Sequence, residues 1–217
     1  MVEEQQHGFA FEKWVVELAR HLYEIKTNRP SEGKIGYTDE WDLPALLNPN
    51  PADGPVSIKI AKWNTGIGFG DARRQFQIDQ IFTLVVGFWQ QDGLRKRVVK
   101  IVPVIIKPEL WASLWAPIQF ADLKKLDDQI KDRTLNYVEA RRLANTTVNA
   151  PPFTGSIFRA NRKIDSKDQR RLQCTLTQKN FLDYLAPQVS RDKEDAPILW
   201  GHAIPPFLPG RPRFGAD

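Results

Sequence analysis

Ser57 and Lys59 stand two residues apart in the stretch VSIKIAK, residues 56–62. In a strand, positions i and i+2 share a face, so this spacing sets a small polar group and an ammonium side by side. Val56, Ile58 and Ile60 form the opposite, apolar face. A lysine in the middle of that second face either reaches solvent, as long charged side chains do, or meets a phosphate. Two acids bear on the choice. Asp42 lies upstream, and Glu12 falls on the flank of the apolar stripe of a helix. Metal-dependent phosphodiester cleavage needs such parts: carboxylates that hold a divalent cation through oxygen, and positive charge beside the scissile phosphate.

These residues need elements to position them. Residues 7–25 carry Phe11, Trp14, Val15, Leu18 and Leu22 at helical spacing, with Lys13, Glu17 and Arg20 on the far side. Residues 28–41 read as a loop with a short strand near Ile35–Tyr37. A strand follows at 56–62, then a loop WNTGIGFG, then a helix over 71–80 with Asp71 as its N-cap. IFTLVVGFWQQ and LRKRVVKIVPVIIK read as two central strands joined at Asp92-Gly93. Residues 108–146 turn helical with breaks. GSIFRANRK and QRRLQCTL read as strands, closed by a helix near TQKNFLDYLA. The expected class is α/β, a single domain with a central mixed β-sheet flanked by helices.

With these elements in place, the sequence resembles the PD-(D/E)XK nuclease superfamily, and within it the type II restriction endonucleases. The residues that carry the resemblance are GFAFEKWVVELA, DEWDLP, VSIKIAK and GFGDARRQF, which cover roughly the first 80 positions. The resemblance implies a restriction-endonuclease-like fold: one nuclease domain over 1–217, with a catalytic core at 1–107, a helical and basic recognition or dimerisation part at 108–196, and a Pro-rich arm at 197–217. It makes Asp42 the shared metal ligand and Lys59 the contact to the attacking water or the phosphate. Glu12 takes the helix-glutamate role, ordering the site or a second metal. Two positions depart from the pattern: Trp41 stands where proline is usual, and Ser57 where an acid is usual. Asp71, twelve residues after Lys59, would supply the missing carboxylate, or Glu12 would. The implied cofactor is Mg²⁺ or Mn²⁺.

The charge points to the same partner. The chain carries a net +5, and seven positive and two negative residues fall between Arg159 and Lys179, an excess as large as the whole chain's. A basic segment of this kind suits a polyanion. The expected duplex DNA contacts are Lys62, Asn64, Arg73, Arg74 and Gln75 near the site, and Arg162, Lys163, Lys167, Gln169, Arg170, Arg171 and Gln173 in the RKIDSKDQRRLQ segment. Arg and Lys suit guanine and phosphate, and Gln suits adenine. Cleavage of a palindrome favours a homodimer.

Other readings stay open at each point. Asp42 would serve as a cap before PALL, with Asp39 and Glu40 as rival ligands. GIGFG would be a nucleotide loop, although its spacing is not that of the dinucleotide fingerprint. The chain as a whole would be a catalytically inactive DNA-binding module, or a repair or junction nuclease that reads DNA shape. The single Cys174 excludes an intrachain disulfide framework, and no apolar run is long enough to span a bilayer. A cytoplasmic protein with no membrane partner is expected.

Overall fold

The structure is a computed structural model that describes residues 3–28, 41–93, 95–165 and 169–205. The strand expected near Ile35–Tyr37, the rival acids Asp39 and Glu40, Lys167 and the arm beyond 205 lie outside the described residues. The chain is mixed α/β and divides into two compact units interleaved in sequence. The first takes the described residues of 1–65, 80–106 and 182–205. The second takes 66–79 and 107–181 apart from the undescribed 166–168. The core expected at 1–107 thus differs from the first unit in two places. Residues 66–79 pack with the second unit, and 182–205 return to the first.

The first unit is built on a mixed three-stranded sheet. Strand β1 (Val56–Lys62) runs parallel to β3 (Phe82–Asp92), which runs antiparallel to β4 (Arg95–Ile106). β3 is the middle strand. It is buried from Phe82 through Phe88, as its unbroken apolar run requires. β4, expected to be central too, is an edge strand of this sheet. Helix α1 (Glu3–Thr27) packs against β1 and buries Phe11, Val15 and Leu18. Leu43, Leu47, Val85, Val98 and Ile101 complete the same core. Gly87 permits a close approach there: a Cβ at this position would lie 2.6 Å from the Phe11 ring.

The last described stretch closes this unit. The pair β7 (Ile198–Leu199) and β8 (His202–Ala203) form a minimal antiparallel ladder, and Leu199 and Ile204 join the core beside Phe11. Lys100 of β4 is 1% exposed. Its ammonium donates to Glu194 Oε1 at 2.8 Å and to the Asp192 carbonyl at 3.0 Å. A buried lysine stays charged at low cost only with such partners.

The second unit has an antiparallel sheet ordered β2 (Gly66–Asp71), β6 (Arg170–Thr177), β5 (Arg159–Ile164). β2 occupies part of the stretch expected as loop. Ile67 and Phe69 are its buried positions, and its partner β6 lies more than a hundred residues on. Helix α2 (Ala72–Phe76) is shorter than the expected 71–80, and Gln77 caps its end. Helices α3 (Pro108–Ser113), α4 (Phe120–Lys131) and α5 (Tyr137–Val148) match the interrupted helical pattern. Asn136 and Glu139 form a capping box at the start of α5. α4 packs on β6 and α5 on β5. Phe69, Trp111, Trp115 and Phe158 form an aromatic centre, with Trp115 stacked on Phe158 at 4.4 Å between centroids.

Candidate active site

β1 alternates as its sequence requires. Val56 and Ile58 are buried on one face, and Ser57 and Lys59 are half-buried on the other. Because β1 pairs with β3 on one side only, its other edge needs partners. Leu43 supplies one as an isolated antiparallel bridge: Leu43 N–H donates to the Val56 carbonyl at 3.1 Å, and Val56 N–H returns to Leu43 at 2.9 Å. This bridge sets the neighbouring Asp42 over the strand. Burial of Trp41 against Phe82, 5.0 Å between centroids, fixes the other side of the same residue.

Asp42 Oδ2 then accepts three donors from consecutive residues of β1. Ser57 Oγ lies at 3.4 Å, Ile58 N–H at 2.5 Å and Lys59 Nζ at 3.1 Å. The carboxylate satisfies an edge amide of the strand and forms an ion pair in one place. The side chains of Lys59 and Asp42 are 20% and 13% exposed. Lys59 therefore does not extend into solvent; its ammonium folds back to Asp42 Oδ2 and to the Ile58 carbonyl at 2.8 Å. Asp42 is held at the start of a strand bridge, and the segment Ala45–Leu47 is capped by Pro44 without a side-chain bond. Asp42 is thus no helix cap.

Glu12 joins this group from α1. Phe11, one residue before it, is seated at Gly87 of β3, which sets the register of the helix against the sheet. The Glu12 carboxyl is held above the usual carboxylate range. Burial is the main cause, the negative charge of Asp42 adds to it, and Lys59 opposes it. Glu12, Asp42, Ser57 and Lys59 are thereby brought together within the first unit. Asp71 belongs to the second unit, where its Oδ1 accepts Arg74 N–H at 2.9 Å as the N-cap of α2.

The donor set fits a divalent cation in one respect and limits it in another. Asp42 Oδ1 is left to ligate, and two carboxylates that repel one another gain from a cation between them. Mg²⁺ typically takes one or two carboxylates and completes its shell with water and substrate phosphate. Among the described residues, no three His, Cys, Asp or Glu converge into a metal-holding group.

The expected DNA contacts divide into exposed and engaged residues. Lys62 is exposed at the end of β1, and Asn64 takes a left-handed turn conformation at φ 62°. Arg74 lies in α2, its N–H bonded to the Asp71 cap. Lys163 and Arg171 are exposed and sit directly opposite each other on β5 and β6, with Asn161 opposite Gln173 on the same face. Gln169 is half-buried, and its N–H donates to Asp165 Oδ1 at 3.0 Å. Three expectations are corrected. Gln75 is buried on the inner side of α2 and presents no free face. Arg73 binds the buried Asp127 at 3.0 Å and lies over the Phe120 ring. Arg170 donates to the carbonyls of Ile130, Asp132 and Leu135, and so ties off the end of α4.

Sequence reasoning passed over Gly87 and the bridge at Leu43. A glycine inside an apolar strand run is a readable sign of close approach; a one-residue bridge leaves no such sign. No helix of the described residues is long and apolar enough to cross a membrane. Among known proteins, the chain matches no family model, no curated protein and no solved structure.

Proposed function

We propose that the chain is a divalent-metal-dependent endonuclease of double-stranded DNA, in the manner of the PD-(D/E)XK enzymes its sequence resembles. The observation that supports the reading is the convergence of Glu12 and Lys59 on Asp42, from a helix, a strand and a strand bridge. Asp42 Oδ1 and Glu12 would hold Mg²⁺ or Mn²⁺, which when bound neutralises phosphate charge and acidifies water. Lys59, whose ammonium lies 3.1 Å from Asp42 Oδ2, would contact the attacking water and a phosphate oxygen. The water oxygen would form a bond to phosphorus as it gives a proton to solvent, and the bond to the leaving sugar oxygen would break as that oxygen takes a proton from solvent. The paired cations Lys163 and Arg171 support duplex binding, since like charges placed opposite one another repel until an anion lies over them. A symmetric cut would need two copies of the chain.

The test is digestion of long, sequence-diverse duplex DNA in Mg²⁺ and in EDTA, with Lys59→Ala alongside. Discrete fragments that need Mg²⁺ are expected, with a rate loss of about a hundredfold or more in the variant. A second reading is favoured by Ser57 and by the want of a third metal-ligating side chain among the described residues. It is an inactive DNA-binding module on the same chain. Intact DNA with salt-dependent binding would select it. Cleavage confined to branched or damaged DNA would instead select a shape-reading nuclease.

A further inference from the structure

A pocket of about 440 Å³ opens in the second unit, where the last turn of α5 faces β5. Its volume lies in the range of small-molecule sites, about 300–1,000 Å³. Two guanidiniums, Arg159 and Arg162, line it, with four side-chain amides and no carboxylate. Asn145 and Asn149 come from α5 and its C-cap, four residues apart and so on one face of the helix. Asn161 and Asn180 come from β5 and from the segment after β6. The wall is therefore positive and dense in hydrogen-bonding groups, and the acids that elsewhere in the chain pair with arginine are absent from it.

The bonding state of these groups narrows the ligand. Asn161 Nδ2 already donates to Thr175 Oγ1 at 2.7 Å, and Asn180 Nδ2 to the Ile157 carbonyl at 3.4 Å. Their carbonyl oxygens are left to accept. Arg162 Nε is buried and has no hydrogen-bond partner. The pocket thus offers both donors and acceptors, and Phe153 gives it a buried apolar side. A bare phosphate supplies acceptors alone and fills little of the space. A nucleobase carries donors and acceptors on one edge and apolar faces on both sides. Joined to a phosphate for the arginines, it answers every group on the wall.

We infer that this pocket binds a nucleoside phosphate, base toward the asparagines and phosphate toward Arg159 and Arg162. The ligand is either a free nucleotide or one nucleotide of a strand. The site uses none of Glu12, Asp42, Ser57 or Lys59, so it stands or falls apart from the cleavage reading.

The experiment is calorimetric titration of the full chain with each of the four deoxynucleoside 5′-monophosphates, with a single-stranded trinucleotide, and with inorganic phosphate. Binding of at least one base with Kd below about 1 mM is expected. Arg159→Ala and Asn145→Asp, both at solvent-accessible positions, should each weaken it at least about tenfold, while a substitution of the exposed Lys125 of α4, Lys125→Ala, binds as the wild type does. Free nucleotides binding as well as the trinucleotide would identify a soluble ligand; the trinucleotide binding alone would identify a strand. The inference is overturned if no nucleotide binds, if phosphate binds as tightly as nucleotides, or if the two variants leave binding unchanged. Nucleotide binding without any DNA cleavage would retain this pocket and remove the endonuclease reading. Cleavage without nucleotide binding would do the reverse.

Discussion

The candidate site of the first unit and the basic strands of the second use charge in different ways. In the first unit, a lysine on β1 turns inward to a carboxylate, and a second carboxylate stands close enough to be destabilised by the first. In the second unit, the arginines that look most alike in the sequence have unlike tasks. Arg170 ties off a helix, Arg171 beside it is exposed, and Arg162 lines a pocket. Concentrated charge that faces itself across a small space stores repulsion a ligand can relieve. Charge spread over a hairpin is partly consumed by the fold. The difference teaches that counting cations overstates a nucleic-acid surface, whereas two carboxylates gathered beside one lysine mark one place.

Breaking the first region should have the largest effect. Asp42→Ala removes the acceptor of three donors and leaves a strand amide unpaired and a half-buried ammonium with the Ile58 carbonyl but without its carboxylate. A loss of about 2–3 kcal/mol is expected in urea unfolding, together with any cleavage activity. Asp42→Asn should recover part of the stability and none of the activity. Gly87→Ala is next. The added methyl meets the Phe11 ring, so α1 must shift, and about 1–3 kcal/mol should be lost by the same measurement. Activity should fall further than stability predicts, because Glu12 moves with Phe11.

The second region sharpens the contrast through neighbours. Arg170→Ala should cost about 1–2 kcal/mol in stability through the freed carbonyls of α4. Arg171→Ala should leave stability within about 0.5 kcal/mol. In duplex binding measured against salt, the order reverses: Arg171→Ala lowers the salt slope by about 1, and Arg170→Ala leaves it unchanged. Equal slopes for both variants would remove the distinction drawn between them.

The smallest effect concerns pH. The Glu12 carboxyl sits above its ordinary value of 4.5 in the folded chain, from burial first and Asp42 second. The folded chain therefore keeps this proton to a higher pH than the unfolded chain does. Stability from this group is complete below the unfolded value, declines as pH rises toward the folded value, and is gone above it. Glu12→Gln should match the wild type at pH 3 and exceed it at pH 7 by at most about 1 kcal/mol. Mg²⁺ should raise the wild-type Tm at pH 7 by more than it raises the variant's, which keeps Asp42 alone as a carboxylate ligand.

Much of this was legible in the residues, for reasons that separate the successes from the failures. β1 announced itself by alternation, and α1 by its apolar stripe, because each carries its own period. β3 and β4 were marked by apolar runs around Asp92-Gly93. β2 was hidden: GIGFGD has three glycines and two buried side chains, and it becomes a strand only through β6, far along the chain. The grouping of Glu12, Asp42 and Lys59 is what the resemblance implies, while the hydrogen bonds of Asp42 with β1 leave no sign in the sequence. Gln75 and Arg170 were misread for one reason. Local spacing gives the face of an element, and only packing decides what covers that face.

The buried Lys100 bears on how the chain is made. Its partners lie more than ninety residues downstream, and Leu199 and Ile204 complete the core around Phe11. A ribosome releases the second unit's last strand before it releases these residues. Until residues past 190 are made, the first unit lacks Leu199 and Ile204 from its core and the Glu194 partner of Lys100. Helix α1 belongs to a core that residues past 190 complete, and a chain stopped near residue 181 should hold the second unit folded and the first exposed to proteolysis.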